Sequence, residues 1–208
     1  LRALIGMSAK KPLVMDSKCM TIEQQKAELH EIAKAGNLWL YDHFGSTDAE
    51  GLLARMSWLA AGCKCDFIML DHITMATTLG MNQQHLDERR IIDAICTDIR
   101  SKIVERTGTG VIMVAHTRKP STGDHSSGTA SLSLSDIRGS GAPAALSDAV
   151  IGLERASDEN GDPIPNVVRV NIMKNRYTGE TSHDAGSIYF NRETGCLEER
   201  HDQFRADF

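Results

Sequence analysis

The sequence of 208 residues has few of the features that mark membrane-anchored or disulfide-stabilised proteins. No apolar run exceeds five residues, whereas a transmembrane helix needs about 20, so we expect no membrane span. The five cysteines are odd in number and scattered, which is typical of reduced thiols in a cytosolic protein. Only Cys63 and Cys65 lie close together, and no further ligands at zinc spacing accompany them. The composition, 41% hydrophobic and 25% charged, predicts an ordinary globular protein that is soluble and cytoplasmic.

Two further absences concern the start of the chain and its phosphate-binding capacity. Leu1 stands where an initiator methionine would stand, and no signal-peptide pattern follows it, which indicates a piece of a longer protein. The phosphate-binding sequence G-x-x-x-x-G-K-[ST] occurs nowhere in the chain. A net charge of −5 argues against nucleic-acid binding over the whole surface, but it allows a local basic patch.

Helix-like and strand-like segments alternate along the chain. A capping box at residues 21–24 predicts a helix through about Lys34, and an isoleucine-rich stretch predicts a long helix over residues 85–106. The apolar runs 67–70 and 111–115 are typical of parallel strands buried on both faces. We also predict a helix to about residue 62 and strands over residues 38–41, 149–153, 167–173 and 186–190. This pattern predicts an α/β fold with a mostly parallel sheet and an antiparallel extension at one edge.

Polar residues follow the two buried strands directly. Asp71 and His72 come after residues 67–70, and His116 comes after residues 111–115. Ligands of open α/β sheets bind at the carboxyl ends of the strands. The run F-I-M-L-D has the form of a Walker B strand, whose acid orients Mg²⁺, usually through water. The alternatives are an Asp71 that only caps the following turn and a His116 that is a hydrogen-bonded surface histidine rather than a γ-phosphate sensor.

Two pairs of basic residues lie beyond these strands. Arg118 and Lys119 open a segment rich in Ser, Gly and Thr, which suits contacts with a phosphate backbone; the alternative is a solvated charge pair. Lys174 and Arg176 lie two residues apart at the end of a predicted strand, so both point to the same side. From a sheet edge they could reach the phosphates of a neighbouring subunit as an arginine finger. The alternative is a cross-strand ion pair.

Taken in order, these motifs resemble the helicase domain of the phage primase-helicases; the mitochondrial Twinkle helicase and, more distantly, the bacterial DnaB helicases are similar. The resemblance rests on an ordered set of segments: D-H-I (71–73), V-A-H (114–116), S-D-I-R-G-S-G-A (135–142), L-S-D (146–148), L-E-R (153–155), K-N-R-Y-T-G (174–179) and N-R-E-T-G (191–195). It implies a RecA-like P-loop NTPase core whose N-terminal Walker A part is missing. The partial helicase domain would cover residues 1–199, and a C-terminal tail would cover residues 200–208.

The resemblance further implies a replicative DNA helicase. Such an enzyme would hydrolyse ATP or dTTP with Mg²⁺ and move 5′–3′ along single-stranded DNA as a homo-hexameric ring. Asp71 would be the Walker B acid on Mg²⁺, His116 the γ-phosphate sensor, and Arg176, with Lys174 beside it, the arginine finger. The base of the nucleotide would lie between Arg155 and Phe190, where the family often has Tyr. The implied DNA-binding residues are Arg118, Lys119, Arg138, Gly139, Ser140 and Gly141.

The chain also departs from the family pattern. The P-loop and the glutamate that activates water lie upstream of residue 1 in the family, so we predict that the chain by itself neither binds nucleotide tightly nor hydrolyses it. Pro143 and the two alanines after it replace residues that are usually polar or charged. The tail resembles the acidic tails that dock on the replicative DNA polymerase, although a solvated terminus is the alternative. A primase domain upstream is a further open question. A RecA- or KaiC-like ATPase that does not unwind DNA, or a non-catalytic fragment of the helicase fold, are the alternative functions.

Overall fold

The structure of the chain is a computed structural model that describes residues 1–41, 49–73, 88–117, 132–137, 141–158 and 160–199. The helices are α1 (Arg2–Ala9), α2 (Ile22–Lys34), α3 (Ala49–Ser57), α4 (Glu88–Asp98) and α5 (Ala142–Leu146). One π-helical segment follows α3 (Trp58–Gly62), and another follows α4 (Ile99–Val104). The second segment continues into a short α-helical turn, Glu105–Thr107. The strands are β1 (Phe67–Leu70), β2 (Gly110–Met113), β3 (Ala149–Ser157), β4 (Pro163–Asn175), β5 (Ser182–Asn191) and β6 (Cys196–Glu199).

Strands β1 and β2 form a parallel pair, with Phe67 opposite Gly110 at one end and Leu70 opposite Met113 at the other. The strands approach closely at Gly110, where a Cβ atom would lie 2.6 Å from the Phe67 ring. The ladder continues beyond the strands, because the Ile73 N–H donates to the Val114 carbonyl at 3.0 Å. This pairing confirms the two predicted parallel strands, although β2 ends earlier than expected.

One face of this pair carries the main apolar core. The buried residues of the core come from α3, α4, β1 and the π-helical segments: Leu53, Met56, Ala60, Ile68, Ile95, Ile99 and Ile103. On the other face Phe67 and Met69 are 70% and 67% exposed. Ile112 of β2 is also 53% exposed. The expectation of burial on both faces is therefore wrong for both strands, because the described helices cover only one side of the pair.

A smaller apolar cluster links α4 to the strand ends. Ile73, Ile92 and Cys96 are buried together, and Ala142 and Leu146 of α5 pack against them. Helix α5 leads directly into β3, so this cluster connects the parallel pair to the second sheet.

The second sheet is antiparallel, with the strand order β3-β4-β5-β6. The expected mostly parallel sheet is therefore wrong for the described strands, of which only β1 and β2 pair in parallel. The four antiparallel strands make their own sheet and do not extend the edge of the parallel pair. Short turns join β3 to β4, β4 to β5 and β5 to β6, and such turns can connect only antiparallel neighbours. The chain is α/β, as predicted, whereas the RecA-like core stays a prediction.

The N-terminal part of the chain confirms one local prediction, a helix start, and contradicts another, a short strand. At the start of α2 the Gln24 N–H donates to the Thr21 hydroxyl at 3.2 Å, and the Thr21 N–H donates to Gln24 Oε1 at 2.9 Å. This capping box satisfies two amides that the first helical turn leaves without partners. Residues 38–41, predicted as a strand, form no strand in the structure. Among the described helices, none is long and apolar enough to cross a membrane.

Candidate nucleotide site at the strand ends

The polar residues predicted at the ends of the parallel strands lie at one edge. His72 and His116 are in contact, with ring centroids 4.4 Å apart and an angle of 62° between the ring planes. Asp71, the residue before His72, is exposed, as is His116. Two ladder bonds fix the strand ends relative to each other: Val114 N–H to the Leu70 carbonyl at 2.9 Å, and the Ile73–Val114 bond. The edge therefore presents a carboxylate and an imidazole pair to solvent.

Of the donors at this edge, the Asp71 carboxylate suits a hard divalent cation, whereas the two imidazoles are ligands more typical of zinc. Mg²⁺ keeps several waters and takes only one or two carboxylates together with substrate phosphates, and Asp71 supplies one exposed carboxylate. In the part of the chain that the structure describes, no group of three or more His, Cys, Asp or Glu side chains could enclose a metal ion. Asp71 is therefore the one residue of this edge that would hold a Mg²⁺ whose remaining ligands are waters and an added phosphate group.

Arg176 lies at the end of β4, where it pairs with Asp148 just before β3. Its Nη1 is 3.2 Å from Asp148 Oδ1. The other carboxylate oxygen, Oδ2, accepts a hydrogen bond from Nη1 of Arg100 at 2.7 Å. Arg100 also contacts Glu105 at 3.2 Å. Arg176 is therefore in an ion pair, the alternative that the sequence left open, while its side chain is still 56% exposed.

The two arginines keep Asp148 ionised. The hydrogen bond from Arg100 holds the pKa of the Asp148 carboxyl below its ordinary value, and Arg176 acts in the same direction, while partial burial opposes them. In return, the hydrogen bond to Asp148 raises the pKa of Arg100. Sequence reasoning did not single out Arg100 or Asp148 as site residues, although Asp148 ends the L-S-D segment.

Lys174 has a different environment from Arg176. Its Nζ donates to the carbonyls of Ala144 and Ala145, at 2.7 and 3.0 Å. These carbonyls lie in the last turn of α5, where a cation is stabilised by the helix dipole and by carbonyl groups that have no partner in the helix. Lys174 thus holds the end of α5 rather than standing beside Arg176 in solvent.

Arg155 and Phe190 lie on one face of the antiparallel sheet. Arg155 pairs with Val168, and Val168 pairs with Ile188, two residues before Phe190. Register partners share a face, as do residues i and i+2 of a strand. The two predicted base-binding residues therefore point to the same side, with β4 between them and a lateral separation of about 10 Å, two strand spacings.

Most of the predicted DNA-binding residues lie outside the described residues. These are Arg118, Lys119, Arg138, Gly139 and Ser140, and the tail at 200–208 lies outside them as well. Gly141 is described and immediately precedes α5, with open space where a Cβ atom would be.

Comparison with known proteins finds similarity to a phage replication protein. No protein-family model matches the chain. Over 160 residues, 76% of its length, the chain is 40% identical to a DNA helicase/primase of Enterobacteria phage T3. It spans 27% of the length of that relative. The chain therefore belongs with the phage primase-helicases, the type that its ordered motifs resemble.

Proposed function

We propose that the chain is part of a replicative DNA helicase in which nucleotide hydrolysis drives movement along single-stranded DNA. One observation carries the proposal: Asp71 and the contacting imidazoles of His72 and His116 meet at the carboxyl edge of a parallel strand pair. Similarity to the T3 DNA helicase/primase supports the helicase part of the proposal.

The residues at this edge would have separate roles, one toward the metal ion and one toward the phosphate groups. Asp71 would hold the water shell of Mg²⁺, which when bound neutralises charge on the phosphates of ATP or dTTP. His116 would hydrogen-bond the γ-phosphate. Arg118 and Lys119 follow within three residues, so a shift of His116 on phosphate release would pass along the chain to these DNA-contacting residues.

The antiparallel sheet would supply the remaining contacts. Arg155 and Phe190 would hold the base, and Arg176 would act on the nucleotide of a neighbouring subunit in a homo-hexameric ring. Residues 138–141 would contact DNA with Arg118 and Lys119 in the central channel. Movement 5′–3′, docking of the tail on a replicative polymerase and a primase domain in the same protein belong to the same proposal.

The decisive test is Asp71→Asn in the full-length protein. We expect DNA-stimulated hydrolysis to fall by roughly 100-fold or more, because the carboxylate charge that orients the hydrated metal is lost. Asp66→Asn is the matched control: it makes the same change at an exposed residue just before β1, at the opposite end of the strand. Its rate should stay close to that of the wild type.

Hydrolysis by Asp71→Asn at the wild-type rate would remove the strand edge from the mechanism. Unwinding of a forked duplex, measured in parallel, separates a helicase from a RecA- or KaiC-like ATPase, which would hydrolyse nucleotide without opening the fork.

A further inference from the structure

The Asp148 side chain contacts residues from two different parts of the molecule. Its carboxylate accepts from Arg100 through one oxygen and from Arg176 through the other. Arg100 belongs to the helical segment that covers the parallel pair, whereas Arg176 belongs to the turn after β4. A single carboxylate therefore joins the helix behind the strand-end site to the predicted arginine finger.

The Arg100 side of this connection is rigid. The neighbouring Ile99 is buried, and Ile103, one turn further on, is completely buried in the main core. Ile68 of β1, three residues before Asp71, belongs to the same cluster. The position of Arg100, and through it that of Asp148, is thus set by the core that also sets β1.

The Arg176 side leaves the guanidinium accessible. An arginine side chain has five N–H donors, and the contact with Asp148 is made through Nη1. The backbone N–H of Arg176 also donates to the Asp148 carbonyl at 2.8 Å. That second bond holds the turn in place independently of the side-chain charge. The carboxylate therefore fixes the direction of an exposed cation without covering it.

We propose that Asp148 is a positioning residue for Arg176: anchored by Arg100, it holds the guanidinium in the direction from which it acts on a neighbouring subunit's nucleotide. This inference rests on the proposed function, since it assumes that Arg176 is the finger. It adds two residues, Asp148 and Arg100, that touch neither nucleotide nor metal. It also makes the geometry of the finger depend on the same core as the Walker B strand.

The test is Asp148→Asn in the full-length protein, with steady-state hydrolysis measured over a range of nucleotide concentrations. Asparagine keeps the shape and the backbone bond but turns an NH₂ group toward one of the two guanidinium groups, so one contact is lost. Misplacement of a catalytic group by about 1 Å costs roughly 100-fold in rate. We therefore expect kcat to fall about 10- to 100-fold, with KM and single-stranded DNA binding changed by less than about twofold.

Two further variants, measured in parallel, serve as controls for the Asp148→Asn result. Glu105→Gln removes the other partner of Arg100 without touching Asp148, and it should leave kcat close to the wild-type value. Arg176→Ala should lose about 1,000-fold or more in kcat while still binding nucleotide.

Wild-type kcat in Asp148→Asn beside an inactive Arg176→Ala would overturn the positioning role and leave the proposed function intact. Wild-type kcat in Arg176→Ala would instead refute the finger itself. Loss of nucleotide binding or DNA binding by Asp148→Asn, together with the loss of kcat, would show a merely structural ion pair and would also overturn the inference.

Discussion

The parallel pair and the antiparallel sheet are stabilised in different ways. The parallel pair has only four residues per strand. The main core nevertheless packs against this pair, and the smaller cluster around Ile73 packs against the residues that follow its strands. Three of the four strands of the antiparallel sheet are longer, with 9, 13 and 10 residues, but Ile151, Leu153 and Leu197 are exposed. Among the described residues, its fully buried positions include a polar one, Asn171.

This difference indicates which kinds of substitution should destabilise each region. A strand pair covered by helices depends on apolar volume, because removal of buried methyl groups leaves a cavity. A sheet with an exposed face depends more on its backbone ladder and on satisfied polar groups. The proposed chemistry would follow the same division, since Asp71 and His116 follow the strands of the parallel pair, while Arg155 and Phe190 lie in the sheet and Arg176 follows β4.

The strongest test of this comparison pairs a core isoleucine with an exposed leucine. Ile103→Ala in the helical segment over the parallel pair should lower the free energy of unfolding by about 2–5 kcal/mol, because Ile103 is completely buried. Leu153→Ala on β3, which is 62% exposed, should change it by less than about 0.5 kcal/mol. Equilibrium unfolding in guanidinium chloride measures both. Equal losses would mean that the two regions share one mode of stabilisation.

A smaller effect is expected from the buried polar residue of the sheet. Asn171 donates to Glu154 at 2.7 Å, and Glu154 also accepts the backbone N–H of Leu132. Asn171→Ala removes a donor from a partly buried carboxylate, but it also removes the buried Oδ1, which has no hydrogen-bond partner among the described residues. The net cost should therefore be about 1 kcal/mol. The control His183→Ala, at an exposed position of β5, should stay within about 0.5 kcal/mol in the same unfolding assay. A neutral Asn171→Ala would show that polar satisfaction does not limit this sheet.

The last test needs no substitution, because each region contains a natural cysteine whose alkylation reports how accessible it is. Cys96 is buried behind the strand ends, and burial raises the pKa of its thiol to about 12, with a further contribution from Asp93. Cys196 on β6 is half-buried. Alkylation with iodoacetamide at about pH 8 should label Cys196 and spare Cys96 until the chain unfolds, because only the thiolate reacts. Peptide mass spectrometry gives the two rates, and equal rates would contradict a closed core at Cys96.

Local signals predicted much of the fold because they depend on neighbouring residues. The capping box at Thr21 places the start of α2, and Gly108, with φ of 75°, ends the long helical stretch in the left-handed conformation that favours glycine. The π-helical turn after α4 was not predicted. Its isoleucines still fall on one face of the helix, so an apolar periodicity does not distinguish it from an α-helical turn.

Features that depend on distant partners could not be predicted in this way. Residues 38–41 and 67–70 are equally apolar runs of four, but only the second pairs with another strand in the structure. In the same way, Arg100 and Asp148 are 48 residues apart, so neither sequence neighbourhood reveals the contact. His116 was predicted because it follows an apolar strand, whereas its ring contact with His72 required the register of β1 and β2.

The exposed apolar faces of both sheets also determine how the chain behaves in solution. Phe67 and Met69 on one sheet, and Ile151, Leu153 and Leu197 on the other, leave apolar surface open to other molecules. What opposes association between copies is a net charge of only −5, which vanishes near the isoelectric point of about 5.9. We therefore expect the colloidal stability of the chain to depend on pH: mildly alkaline, low-salt buffers should keep its copies apart, and mild acid should bring them together.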